Sequence, residues 1–277
     1  MRDMKFGQYL KLLKASSSST EDTCAKKGVN GTTIGVPVLN GDEENKAQVV
    51  AYFDLDRTLI DGYSLTALAM QHLVNGEISP PRLIRLSIMF FKYFLGRIDY
   101  DQMLRSTVDD IQGMPEEELQ RLGEQAFQQR LMDTIYAEGF ELINTHKHLG
   151  HEVVMVTAAT SYQAQPIARV LGIDHICCTV LEIREGKVGG VVNTCYGQGK
   201  VDAAVTYAEQ VNADLNKAYF YSDSKEDLPL LELVGNPVIV NPKAELKKMG
   251  EACGWPILQF FQKGLNSSAT HITQRAT

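Results

Sequence analysis

The feature that most constrains the fold of this chain is a short apolar run that stops against acid, Val49-Val50-Ala51-Tyr52-Phe53 followed by Asp54-Leu55-Asp56. An unbroken β-branched and aromatic run of this length suits a strand buried on both faces. Three runs of the same kind follow: Val153-Val154-Met155-Val156, Ala218-Tyr219-Phe220-Tyr221 and Val238-Ile239-Val240. Each is bounded by polar residues or turn signals. Helical patterns lie between them, at 135–149 before Gly150, 166–171 before Gly172, and 201–211. Strands that alternate with helices predict a doubly wound, mainly parallel, Rossmann-like α/β sheet. A β-hairpin is expected at 176–183 and 187–192, turning through Glu185-Gly186.

Residues 62–133 break the rhythm and read as helices only. The segments are 64–74, 83–95 after Pro80-Pro81, 100–111, and 116–131, with Gly113 and Pro115 as punctuation. They predict a helical bundle inserted above the strand ends. The expected division is therefore an α/β core at 48–61 and 134–265 and a helical insert at 62–133. An N-terminal tail at 1–47, flexible or partly helical, and a C-terminal tail at 266–277 complete it. In the first segment Phe6, Tyr9-Leu10 and Leu12-Leu13 form an amphipathic pattern, and the Ser/Thr run 16–20 reads as a linker.

Composition excludes several classes. Net charge is −7, so the basic footprint of a nucleic-acid binder is missing. No apolar stretch is long enough to predict a transmembrane helix. The five cysteines are odd in number and lack CxxC spacing, which points to the reducing cytoplasm rather than to a disulfide framework or zinc site. His146-Lys147-His148 reads as the solvated end of a helix, and Cys177-Cys178 as packed in a strand.

In an open α/β sheet, ligands bind beyond the carboxyl ends of the strands. Asp54, Asp56 and Thr58 follow the first strand, Thr157 and Ala158 the second, and Ser222-Asp223-Ser224 with Asp227 the strand at 218–221. Lys200 follows the turn Gly197-Gln198-Gly199. Carboxylates gathered at one edge call for a cation, and hard oxygen ligands with open positions suit Mg²⁺. A lysine and a threonine hydroxyl beside them suit a dianionic phosphoryl group. One carboxylate would attack phosphorus, and a second would donate and then accept a proton.

Phe53-Asp54-Leu55-Asp56-Arg57-Thr58-Leu59 resembles the first motif of the haloacid dehalogenase superfamily, DxDxT after a buried strand. Thr157, Lys200 and Ser222-Asp223-Ser224-Lys225-Glu226-Asp227 resemble its second, third and fourth motifs, in the family's order. The insert resembles the C1 cap of the phosphoserine-phosphatase-like branch, subfamily IB. The resemblance implies that Asp54 is the nucleophile, becoming an aspartyl-phosphate, and a Mg²⁺ ligand. It implies that Asp56 is the acid/base and offers its backbone carbonyl to the metal. Thr157, Ala158 and Lys200 would hold phosphoryl oxygens, Asp223 would be the third protein ligand, and Thr58 and Asp227 would support them. Arg57 fills the variable motif position, where it reaches substrate or faces solvent.

Phosphoserine phosphatases of this branch carry a glutamate where this chain has Tyr63, and a cap arginine where it has Thr107, with Arg105 two residues earlier. A site lacking both charges cannot pair the serine zwitterion. The expectation is a Mg²⁺-dependent phosphomonoesterase for a small organic or lipid phosphate other than phosphoserine. A phosphotransferase with the same intermediate, or a weakly catalytic regulatory protein, are the alternatives. The apolar, basic stretch 83–95 reads as the core of the bundle; a greasy pocket, a membrane-touching surface or a dimer contact are the other readings.

Overall fold

The computed structural model describes residues 4–18, 48–95 and 97–265. Most of the expected N-terminal tail, its serine-rich linker and the tail at 266–277 lie outside the described residues.

The run at 49–53 forms β1 (Val50–Phe53), wholly buried. Alternation along it feeds two cores. Ala51 and Phe53 join one apolar cluster, and Val50 and Tyr52 join the other across the sheet. The remaining strands are β2 (Glu152–Thr160), β3 (His175–Arg184), β4 (Lys187–Asn193), β5 (Tyr219–Ser222), β6 (Asn236–Val240) and β7 (Ile257–Leu258). Their order is β4-β3-β2-β1-β5-β6-β7. All neighbours are parallel except β3 and β4, which form the expected hairpin. Its turn residues Glu185 and Gly186 both have positive φ, 51° and 73°, as a tight two-residue turn requires. Because β1 lies between β2 and β5, the chain leaves β1 at the point where strand order reverses, and a crevice opens there. Two details depart from expectation. β2 runs on past Val156, with an irregular register, to Thr160. The two-residue edge strand β7 carries too little pattern to be anticipated.

The insert comprises α2 (Ser64–Val74), α3 (Pro80–Phe94), α4 (Tyr100–Asp110) and α5 (Glu116–Ala126). A π turn (Phe127–Leu131) and a 3-10 turn (Met132–Thr134) lead back to the sheet. The other helices are α6 (Ala137–His148), α7 (Ser161–Leu171), α8 (Gln198–Gln210), α9 (Leu228–Leu233) and α10 (Ala244–Cys253). Pro166 lies inside α7 and has no N–H for the carbonyl of Tyr162, one turn earlier. Gly123 of α5 sits over that carbonyl, where a Cβ would lie 2.1 Å from the oxygen. Glycine at this position lets the insert seat directly on the core.

Three sequence expectations change. The N-terminal stretch, read as a tail that is flexible or partly helical, is helical over α1 (Phe6–Ser18) and there belongs to the core, burying Tyr9, Leu10 and Leu13 in the cluster that contains Phe53. The stretch 83–95 is not the core of the bundle. Met89 is buried, but Ile84, Ile88, Phe91 and Leu95 are 62, 51, 63 and 47% exposed and share one face by their spacing. The outer face of α3 is thus apolar because the helix packs against α4 and nothing described covers its other side. No described helix is long and apolar enough to cross a membrane.

His146 is the third change. It is fully buried rather than solvated, because α6 packs its last turn against the sheet. Its Nε2 lies 2.8 Å from the Tyr221 hydroxyl, its Nδ1 2.8 Å from His151 Nδ1, and Tyr221 reaches the Tyr9 hydroxyl at 2.8 Å. Burial, with His151 second, pushes the His146 pKa down to about 3. Between about pH 6.5 and 3 the unfolded chain binds a proton that the native state refuses, so stability falls as pH falls, by about 1.4 kcal/mol per pH unit. Urea unfolding of the parent and of His146→Gln at about pH 6 and 5 is expected to show this slope in the difference between the two proteins, since the raised Asp54 and Asp223 act with the opposite sign in both. An unchanged slope in the variant would refute the assignment.

Candidate active site

The site is built where β1, β2 and β5 end. The Asp54 N–H donates to the Tyr221 carbonyl at 3.0 Å, which continues the sheet one residue past β1 and aims the side chain into the crevice. The chain then curls: the N–H groups of Thr58, Leu59 and Ile60 all point at the Leu55 carbonyl, and Arg57 takes φ 62°. This curl brings Thr58 Oγ1 within 3.3 Å of Asp54 Oδ2, and Thr58 Oγ1 also accepts from the Asp223 N–H at 3.1 Å. One hydroxyl therefore ties the end of β1 to the end of β5.

Lys200 stands in the first turn of α8, whose entry depends on Gly199. A Cβ there would lie 2.1 Å from the Thr194 carbonyl oxygen. Lys200 Nζ donates to Asp54 Oδ1 at 2.6 Å and to Asp227 Oδ2 at 2.7 Å. All three side chains are nearly inaccessible, at 4, 8 and 2% exposure. Ser222 Oγ donates to the same Asp227 oxygen at 2.6 Å. Burial raises the Asp54 proton affinity, and the lysine opposes it. The two carboxylates outweigh the burial of Lys200 and keep its ammonium protonated.

Asp56 lies at the N-terminus of α2. Its carboxyl accepts from the Ser64 N–H at 2.7 Å and from the Ser64 hydroxyl at 3.2 Å. Gln163 Nε2 in turn donates to Ser64 Oγ at 3.3 Å, which couples the start of α7 to the acid. Burial raises the Asp56 pKa, with the Ser64 contacts opposing. Asp223 is pushed up to about 6 by burial, against the pull of Arg57, whose Nε donates to Asp223 Oδ2 at 2.9 Å. Arg57 thus faces neither bulk solvent nor the cavity floor alone; its guanidinium also lies 6.0 Å from the Tyr63 ring centroid. Thr157 is buried, with its Oγ1 accepting from the Ala159 N–H at 3.1 Å. The Ala158 carbonyl accepts from the hydroxyls of Tyr100 and Thr179, at 2.9 and 2.8 Å.

The structure therefore brings Asp54, Asp56, Thr58, Thr157, Ala158, Lys200, Asp223 and Asp227 to one place. It does not bring Arg105, which is 56% exposed and paired with Asp101 on the outer side of α4. Thr107 lines the cavity, but its hydroxyl is spent on the Met103 carbonyl at 2.9 Å. Ser64 was not anticipated as a partner of Asp56, and Ser222, read as part of the fourth motif, was given no role of its own. Their signals were a serine opening a helix and a serine preceding the second acidic cluster. His72 is a further surprise: it gathers with Glu77 and Glu118 in the insert, where Arg121 donates to Glu77 at 2.8 Å.

Comparisons with known proteins give the chain's family. The family described as haloacid dehalogenase-like hydrolase matches residues 51–232. A probable phosphatase of Mycobacterium tuberculosis is 33% identical over 228 residues, covering 81% of this chain and 79% of that one. A crystal structure of a protein with unknown function from Bordetella pertussis superposes with TM-score 0.72 at 26% identity, covering 77% of this chain and 99% of that one. A phosphoserine phosphatase captured as a phospho-aspartyl intermediate analogue shares the fold, with TM-score 0.56 at 19% identity over 83% of this chain and 99% of the other. The chain belongs to the haloacid dehalogenase-like hydrolases.

Proposed function

We infer that this chain is a Mg²⁺-dependent phosphomonoesterase working through an aspartyl-phosphate on Asp54. The core would be 48–61 and 134–265, under a C1-type cap at 62–133. The observation that carries the reading is the doubly bonded lysine, with Lys200 Nζ held by Asp54 and Asp227 in a pocket that also contains Asp56, Thr157 and Asp223. The donor chemistry fits a hard divalent cation: Asp54 and Asp223 are buried carboxylates, and the charge of Asp223 raises the proton affinity of Asp54. Asp54, the Asp56 backbone carbonyl and Asp223 would hold Mg²⁺, which when bound supplies positive charge to the phosphoryl oxygens.

The chain's own residues supply the rest. An Asp54 oxygen bonds to phosphorus as the ester oxygen leaves, taking a proton from Asp56. Burial favours the protonated form of Asp56, and Ser64 fixes its orientation. Asp56 then takes a proton from water. The water oxygen bonds to phosphorus, the Asp54–phosphorus bond breaks, and inorganic phosphate leaves. Thr157, Ala158 and Lys200 hold phosphoryl oxygens, Asp227 keeps Lys200 aimed, and Thr58 orients Asp54. The Tyr100–Ala158 hydrogen bond supports a closed insert that excludes water during the first step.

The substrate is a small organic or lipid phosphate and not phosphoserine, since Tyr63, Thr107 and the outward-facing Arg105 offer its ammonium and carboxylate no charge at the two positions where phosphoserine phosphatases of this branch carry them. The four described cysteines are free thiols, which supports action in the cytoplasm. Phosphate release from p-nitrophenyl phosphate is expected to stop with EDTA and return with Mg²⁺. Phosphoserine is expected to react at least about 100-fold less efficiently than the best ester, because two charged contacts are missing. Metal-independent turnover would sink the cofactor assignment, and efficient phosphoserine hydrolysis the substrate assignment.

A further inference from the structure

The cavity over Asp54 and Lys200 measures about 870 Å³ and continues from the carboxylates into the insert. A phosphoryl group fills only its floor. Above the floor, Leu68 of α2, Leu86 of α3, Met103, Leu104 and Val108 of α4, and Leu119 of α5 form the wall. None of these side chains offers a hydrogen-bond donor or a strong acceptor. Thr107, also in the wall, has spent its hydroxyl on its own helix and turns no free donor to the cavity. A sugar or nucleoside buried against these apolar side chains would lose most of its water hydrogen bonds without replacement. Tyr100 of the insert stacks on Tyr196 of the core at 3.9 Å between centroids, and both line the same cavity. The apolar chamber and the carboxylates thus belong to one cavity.

We propose that this chamber binds the apolar chain of the substrate, so that the enzyme acts on phosphate monoesters of single-chain aliphatic or isoprenoid alcohols. The proposal rests on the phosphomonoesterase reading and names its substrate class. The phosphoryl group meets Asp54 and Lys200, and the chain runs between α2, α4 and α5. Polar groups also border the cavity, among them His72, Gln163 and Glu226, and Arg82 is the sharpest conflict, because its Nε is buried without a partner. A substrate with a second anionic group at that point is the competing arrangement, and the test separates the two.

The test uses the full-length protein with Mg²⁺ and monomeric butyl, hexyl, octyl and decyl phosphates, alongside an ω-carboxyoctyl phosphate, glucose phosphate and p-nitrophenyl phosphate. The expected result is kcat/KM rising about three- to fourfold per methylene until the chamber is full. Val108→Trp, which occupies the wall, is expected to lower the octyl-to-butyl ratio at least about tenfold. The wild-type series decides even if this variant fails to fold. A flat series beside good p-nitrophenyl phosphate turnover, or a clear preference for the carboxylated chain, overturns the proposal while leaving the phosphatase intact. No phosphate release from any ester overturns the phosphatase reading and the proposal together.

Discussion

Asp54→Asn is expected to reduce turnover by at least about 10⁴-fold, measured as phosphate release with Mg²⁺ and the best available ester. An amide has no anionic oxygen to attack phosphorus, so the loss falls on kcat rather than on substrate affinity. The substitution is nearly isosteric, and it keeps one oxygen that can accept from Lys200, which now reaches Asp54 Oδ1 at 2.6 Å, while the amide nitrogen replaces Oδ2 beside the Thr58 hydroxyl. Lys200 also retains Asp227. The variant should therefore keep its near-ultraviolet circular dichroism and lose its chemistry. Activity above about one per cent of the parent's would mean that Asp54 is not the nucleophile.

Lys200→Met is expected to cost both activity and stability, the latter by about 3–5 kcal/mol near pH 7. The lysine is the cation between two buried carboxylates, and removing it leaves Asp54 and Asp227 to face each other uncompensated. The sign with pH follows from linkage. Without the lysine, which opposes the effect of burial, native Asp54 binds its proton more tightly still than the unfolded residue does, so the stability deficit should shrink as pH falls towards about 5. That trend runs opposite to the one expected from His146. Chemical denaturation of parent and variant at both pH values checks it. A deficit independent of pH would point to lost packing of the lysine stem rather than to lost charge.

Much of the site was legible because its chemistry is written next to strand ends. The run before Asp54 is apolar on both faces, so it had to lie inside the sheet, and the acid that follows had to emerge at its edge. Gly and Pro punctuation gave the helices of the insert, and Ser64–Val74 matches its expected span. What failed was orientation. Composition told that 83–95 is apolar but not that Ile84, Ile88 and Phe91 share an outward face, since that depends on where α4 lies. Arg105 was placed near substrate by its position in the chain, yet the turn of α4 sends it to Asp101 outside. His146 sits at a helix end, a place that usually meets water. Only the packing of α6 against β5 reveals the hydroxyl of Tyr221 as its partner.

The segment shared with the family begins at residue 51, but the structure reaches further back. Helix α1 lays Tyr9, Leu10 and Leu13 on the sheet, the Met4 N–H reaches the Ile257 carbonyl at 3.3 Å, and Tyr9 bonds the residue just before Ser222 and Asp223. Homology and cooperativity therefore draw different outlines. A chain trimmed to the family boundary would uncover a greasy patch and leave the Tyr221 hydroxyl to His146 alone, which are the makings of an aggregate rather than of a smaller enzyme.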